Sequence, residues 1–137
     1  MKNVLILAYD LINNCRPAKE RDVVVFDIDE TLIDIRGEPM FDVIEFYKYV
    51  MAIGFRTVII TAREGTTGNI KLTIEELSRF GINGYSSIYF RLPSQLNIEQ
   101  YKINSRKSVL DNGFNTVMSV GDMYWDTGIY GGIGIII

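Results

Sequence analysis

A chain of 137 residues with 47% apolar and 23% charged side chains fits one compact domain, residues 1–137, with enough apolar material for a core. Its net charge of −3 argues against a broad basic surface for nucleic acid, although a local basic pocket remains compatible with it. There is no histidine and only one cysteine, Cys15, which excludes Ser-His-Asp and Cys-His catalysis, imidazole or cysteine metal sites, and an internal disulfide. Chemistry in this chain must run on carboxylates, lysine, hydroxyls and backbone amides. Oxygen ligands of that kind favour Mg²⁺, Ca²⁺ or Mn²⁺.

The first segment, MKNVLILAYDLINNC, places Val4, Leu5, Ala8, Leu11, Ile12 and Cys15 on one helical stripe. Its apolar run is short and no small-residue cleavage pattern follows, so it reads as a packed helix rather than a signal peptide. No run approaches the length of a membrane span. The expectation is a cytoplasmic protein with no membrane partner, in which Cys15 serves as a small core side chain.

Val23–Asp27 follows, a valine-rich run suited to a strand buried on both faces. It leads straight into Asp27 and Asp29, which share a face if the backbone stays extended. Two unpaired carboxylates at close range are unfavourable unless a cation, a shared proton or solvent relieves them. Phe41 to Met51 then reads as an amphipathic helix carrying Phe41, Ile44, Glu45, Tyr47, Lys48 and Met51, closed by Gly54. Thr57–Ile60 is a second buried strand. The spacing from Ile70 to Phe80 predicts a helix with Leu72, Ile74, Leu77 and Phe80 inward and Gly81 beyond its end.

Ser87–Phe90 is a third strand, Ile98–Asp111 a helix ending at Asn112-Gly113, Thr116–Val120 a fourth strand and Ile133–Ile137 a last one. Short apolar runs alternating with helices point to an α/β fold of βα units around a parallel sheet. In such sheets the ligand crevice lies beyond the carboxyl ends of the strands. Those ends deliver Asp27, Asp29 and Thr31, then Thr61, Ala62 and Arg63, then Arg91, then Gly121, Asp122 and Asp126. The helix before the fourth strand carries Lys102, Arg106 and Lys107. Carboxylates and hydroxyls flanked by lysine suit a magnesium-bound phosphate, and such a cation would relieve the aspartates.

Each of these residues has a plainer role when taken alone. Asp-x-Asp can be a loop, Gly121-Asp122 a turn or helix cap, and Thr61 a strand end. Arg63 reads as a surface or flap residue, with a substrate-facing role the less favoured alternative, and Tyr124 and Trp125 as packing groups at a rim. Taken in order, Asp27-Ile-Asp29-Glu30-Thr31, Thr61, Lys102 and Gly121-Asp122-Met-Tyr-Trp-Asp126 resemble the four motifs of the haloacid dehalogenase (HAD) superfamily. FDIDETLID, ITAREGTTGNIKLTIEEL, YFRLP and YKINSR are similar to blocks of its acid phosphatase group, which includes plant vegetative storage proteins and bacterial class B and C enzymes.

The resemblance implies a Rossmann-like core with a five-stranded parallel sheet flanked by helices, and Mg²⁺-dependent hydrolysis of phosphomonoesters. It implies Asp27 as nucleophile and Asp29 as general acid and base, with Thr61, Ala62 and Lys102 against the phosphoryl group. Mg²⁺ is implied on the Asp27 carboxylate, the Asp29 backbone carbonyl and Asp122, with Asp126 orienting a bound water or the lysine. Leu32–Glu38 would form a turn and small flap, without a sizeable cap. The expected partner is a phosphorylated small molecule or macromolecule. Two other functions compete. Phe90-Arg91 and the cluster Lys102, Arg106 and Lys107 keep a polynucleotide 3′-phosphatase in view, with nucleic acid the less favoured substrate. A storage or binding protein that has lost catalysis is the other, and the intact Asp27 stands against it.

Overall fold

The valine run after Asp22 becomes the centre of the sheet. The computed structural model describes residues 2–137, in which α1 (Asn3–Asn13) precedes β1 (Asp22–Phe26), α2 (Phe41–Ala52), β2 (Arg56–Glu64) and α3 (Thr67–Arg79). β3 (Ser87–Arg91), α4 (Ile98–Asp111), β4 (Asn115–Gly121), a 3₁₀ turn at Tyr124–Asp126 and β5 (Ile133–Ile136) complete the order. The strands lie in the order β3-β2-β1-β4-β5 and all neighbours pair parallel. β1 has a partner on each edge and a layer on each face, which is why every one of its residues is apolar or fully engaged. The expected five-stranded parallel sheet flanked by helices is therefore present.

Alternate residues of β1 serve opposite layers. Val24 and Phe26 join Leu5, Ala8, Phe46 and Tyr47 beneath α1 and α2. Val23 and Val25 join Val58, Ile60, Tyr101 and Val109 beneath α4. In α2 the buried side is Val43, Ile44, Phe46, Tyr47 and Val50, so Phe41, Glu45 and Lys48 of the expected arrangement face solvent. Cys15 lies past the end of α1 and is only half-buried, not in the core. Among the described residues no helix is long and apolar enough to cross a membrane.

The third helix departs most from expectation. It begins at Thr67 rather than Ile70, because the Thr66 hydroxyl accepts the Asn69 N–H at 3.3 Å and caps the helix. Its buried residues are Thr73 and Leu77, one turn apart, while Leu72 is 65% exposed, Ile74 is exposed and Phe80 half-buried. The inward face is set by Arg63 of β2, which donates to the Thr73 hydroxyl at 3.2 Å. A polar anchor thus turned the helix away from the face its apolar residues suggested.

At the other end of β1 the buried Asp22 carboxylate accepts from Arg16 Nη2 at 2.9 Å, Lys19 N at 2.8 Å and Asn115 Nδ2 at 3.0 Å. The Arg16 guanidinium holds this carboxyl well below the usual carboxylate range. A group with a depressed folded pKa stabilises above its unfolded value and loses that contribution as pH falls toward the folded one. Asp22→Asn should therefore cost about 1–3 kcal/mol at neutral pH. The deficit relative to the unaltered protein should shrink as pH drops below about 4. Urea unfolding at pH 7 and in acid checks this, and an equal deficit at both would contradict it.

Candidate active site

The site is built where β1 ends. Asp27 lies one residue beyond the strand, yet its N–H still donates to Val120 O of β4 at 3.0 Å. The chain then turns sharply. The N–H groups of Thr31, Leu32 and Ile33 converge on Ile28 O at 3.1, 2.8 and 3.1 Å, and Glu30 takes a left-handed φ of 61°. A non-glycine residue there is uncommon and carries strain. Single bridges between Asp29 and Ile33 and between Ile33 and Pro39 make the small flap expected after Thr31. The bend separates the two aspartates: Asp27 is buried, whereas the Asp29 side chain is 58% exposed.

The partner of Asp27 comes from α4. Lys102, its side chain only 3% exposed, places Nζ 2.8 Å from Asp27 Oδ1, 2.7 Å from Asp126 Oδ1 and 2.8 Å from Ile60 O. Thr31 Oγ1 donates to Asp27 Oδ2 at 3.3 Å. Asp126 Oδ2 accepts the Met123 N–H at 3.0 Å. Asp126 also packs flat on Gly121, where a Cβ would stand 2.2 Å from its own Cβ, so the glycine of Gly121-Asp122 is a steric requirement. Burial pushes the Asp27 carboxyl up, against the pull of Lys102 and with the Asp126 charge adding to it. Burial would lower the Lys102 ammonium, but the two carboxylates outweigh it and its pKa ends raised.

One carboxylate oxygen each from Asp27, Asp122 and Asp126 lie within 4.8 Å of one another. With all three carboxyls ionised, as a bound cation would favour, three carboxylates against one ammonium leave two negative charges, all on hard oxygen donors. That balance fits a divalent cation such as Mg²⁺. Asp126 Oδ1 is buried without a well-aligned hydrogen bond despite its closeness to Lys102. Beside the cluster is a cavity of about 190 Å³ lined by Asp27, Asp29, Ala62, Lys102, Asp122 and Trp125.

The end of β2 supplies the opposite wall. Thr61 is buried, its hydroxyl accepts the Arg63 N–H at 3.1 Å, and its carbonyl accepts from Tyr101 OH at 2.7 Å. Arg91 Nε donates to Ala62 O at 2.9 Å, so this arginine at the end of β3 braces the end of β2. Arg63 is a structural member of the site rather than a surface residue. It forks Asp29, with Nε 3.0 Å from Oδ2 and Nη2 2.8 Å from Oδ1, while Nη1 donates to Glu76 Oε1 at 2.8 Å. Of the basic cluster on α4, only Lys102 reaches the cavity. Arg106 is buried and Lys107 is exposed, paired with Asp111 at 3.0 Å.

A family model described as HAD superfamily, subfamily IIIB (acid phosphatase), matches residues 36–128, well over half of the chain. The chain belongs to HAD subfamily IIIB, the acid phosphatases. The matched span of this subfamily takes in Thr61, Lys102, Asp122 and Asp126 and begins beyond Asp27 and Asp29. Acid phosphatase 1 of Solanum lycopersicum is 27% identical over 134 residues, covering 77% of this chain and 52% of its own. The chain thus spans about half the length of that curated relative. The parallel sheet with its site at the carboxyl edge is the Rossmann-like core expected of a HAD protein.

Proposed function

We propose that this domain hydrolyses phosphomonoesters in a Mg²⁺-dependent reaction that passes through an aspartyl-phosphate on Asp27. The observation that carries the reading is the buried Asp27–Lys102–Asp126 arrangement beside Asp122, in a member of the acid phosphatase subfamily. Asp27 attacks the phosphorus and the ester P–O bond breaks, while the leaving alkoxide takes a proton from Asp29 once that carboxyl has left the Arg63 fork. Asp29 then accepts a proton from water as that water attacks the acyl phosphate, which frees inorganic phosphate and restores Asp27. Lys102, Thr61 and the amides near Ala62 hold the phosphoryl oxygens.

The Asp27 and Asp122 carboxylates and the Asp29 carbonyl would hold Mg²⁺, with Asp126 steering Lys102 and the Met123 amide. The ion, when bound, supplies positive charge against the phosphoryl oxygens and fixes their orientation. The burial of Arg106 and the pairing of Lys107 remove much of the basic track an oligonucleotide would need, which disfavours a nucleic-acid substrate. The test is phosphate release from sugar phosphates, nucleotides, phosphopeptides and an aryl phosphate, with Mg²⁺ and after chelation. Release that is lost on chelation and returns with Mg²⁺ is expected. No release from any of them, with Mg²⁺ present, would overturn the reading.

Access to the site bears on selectivity. Only Gly65 and Thr66 separate β2 from α3, and the β1–α2 segment is a small flap, so neither connection carries a lid among the described residues. An uncovered mouth should discriminate poorly. Aryl phosphates and esters with bulky leaving groups should be hydrolysed with similar kcat/KM, independent of protein concentration. Rates that rise with concentration would point instead to a second subunit covering the mouth. A monomer that accepts one small ester and rejects every bulky one would contradict the open site.

A further inference from the structure

Arg106 presents a physical problem that the proposed reaction does not resolve. It is 1% exposed, and no ion pair involves it among the described residues. Burying a guanidinium without a paired carboxylate is unfavourable unless its donors are well used. Burial does lower its pKa, with Asp126 the one charge acting the other way. Its donors go instead to main-chain carbonyls: Nε to Ile129 O at 2.8 Å and Nη1 to Trp125 O at 2.7 Å.

The segment that receives these bonds is folded tightly around the side chain. A Cβ at Gly131 would stand 3.4 Å from Arg106 Cδ and 2.9 Å from both Gly128 O and Ser119 Oγ. Ser119 Oγ donates to Gly131 O at 2.8 Å, and Tyr130 is held at a left-handed φ of 65°. Lys102 and Arg106 are one helical turn apart and project to the same side of α4. The lysine takes the Asp126 carboxylate, and the arginine takes the carbonyl of the residue just before it. Asp126 in turn accepts the N–H of Met123, the neighbour of Asp122. A chain of direct bonds therefore runs from Arg106 to the residue that would hold the cation.

We propose that Arg106 is a positioning residue for the divalent-cation site, fixing the segment that carries Asp122 and Asp126 against α4. The inference rests on the metal-dependent reading above. It differs from ordinary packing because the guanidinium bonds fall on either side of Asp126, at Trp125 and Ile129, rather than on the sheet. Residues that orient ligands from behind usually change metal affinity by about 10- to 100-fold when removed.

The test uses Mn²⁺ alone as probe, with binding followed by electron paramagnetic resonance and no substrate present. Arg106→Met, which keeps the apolar stem, should bind Mn²⁺ at least about 10-fold more weakly while still melting cooperatively. Arg106→Lys should also be weakened, since a single ammonium cannot fork two carbonyls in the same geometry. Val109→Ala, at a fully buried position one turn further along α4, should lower the melting temperature yet bind Mn²⁺ normally. Normal binding by folded Arg106→Met overturns the inference, and if that variant does not fold, normal binding by Arg106→Lys does so. Equal weakening in Val109→Ala would also overturn it, by showing a general loss of stability. If the unaltered protein binds no Mn²⁺, the metal-dependent reading falls and this inference with it.

Discussion

Asp27→Asn is expected to reduce turnover on every phosphomonoester by more than about 1,000-fold, because an amide is a far poorer nucleophile than a carboxylate. The fold should survive the change. Asparagine has nearly the same shape, and Asp27 is a carboxylate whose charged form burial already disfavours. Lys102 keeps a counter-charge in Asp126 at 2.7 Å, so the substitution does not strand a buried cation. Steady-state kcat together with thermal melting checks both halves. A variant with the kcat of the unaltered protein would remove Asp27 from the chemistry, and one that fails to fold would show that its charge is structural.

The second large effect is expected at Lys102. Lys102→Ala removes a charge that the fold has preorganised among three acceptors, and activity should fall on the order of 100-fold or more. It also leaves Asp27 and Asp126 buried without a counter-ion, which should cost about 3–5 kcal/mol of stability. The two effects separate when kcat is measured well below the melting temperature of the variant. Lys107→Ala serves as the comparison, since its ammonium is exposed and pairs only within its own helix, with Asp111. It should leave both activity and melting nearly unchanged. The reverse ordering would reassign the phosphate-facing role.

The sequence carried the parts of the fold that repeat regularly. VVVF and TVII read as buried strands, and the apolar alternation with helices led to the parallel sheet. The strand ends pointed to one crevice, and Asp27, Ala62 and Asp122 do line a cavity there, whereas Thr61 is buried and does not. Less legible were features that depend on partners far apart in the chain. Arg63 looked like a flap residue because its partners, Asp29 and Glu76, lie 34 and 13 positions away. The same contact network turned α3 so that Leu72 and Ile74 face outward. Arg106 read as one of a basic cluster that could face a nucleic acid, since arginine is seldom buried without a paired acid. Two backbone carbonyls on a glycine-rich segment satisfy it, and the composition of that segment alone did not reveal this. The closeness of Asp126 to Lys102 came through the resemblance to HAD motifs rather than through spacing.

The central claim is covalent chemistry on Asp27, and trapping the intermediate tests it most directly. Asp29→Asn should slow the hydrolysis of the aspartyl-phosphate more than its formation when the leaving group is a good one. This variant would be mixed with an aryl phosphate and Mg²⁺, quenched in acid, digested and read by peptide mass spectrometry. The account predicts one added phosphoryl group on the peptide containing Asp27 and none when Asp27 is also replaced by Asn. Steady phosphate release with no phosphoryl group on that peptide, or with the label on another residue, would contradict it.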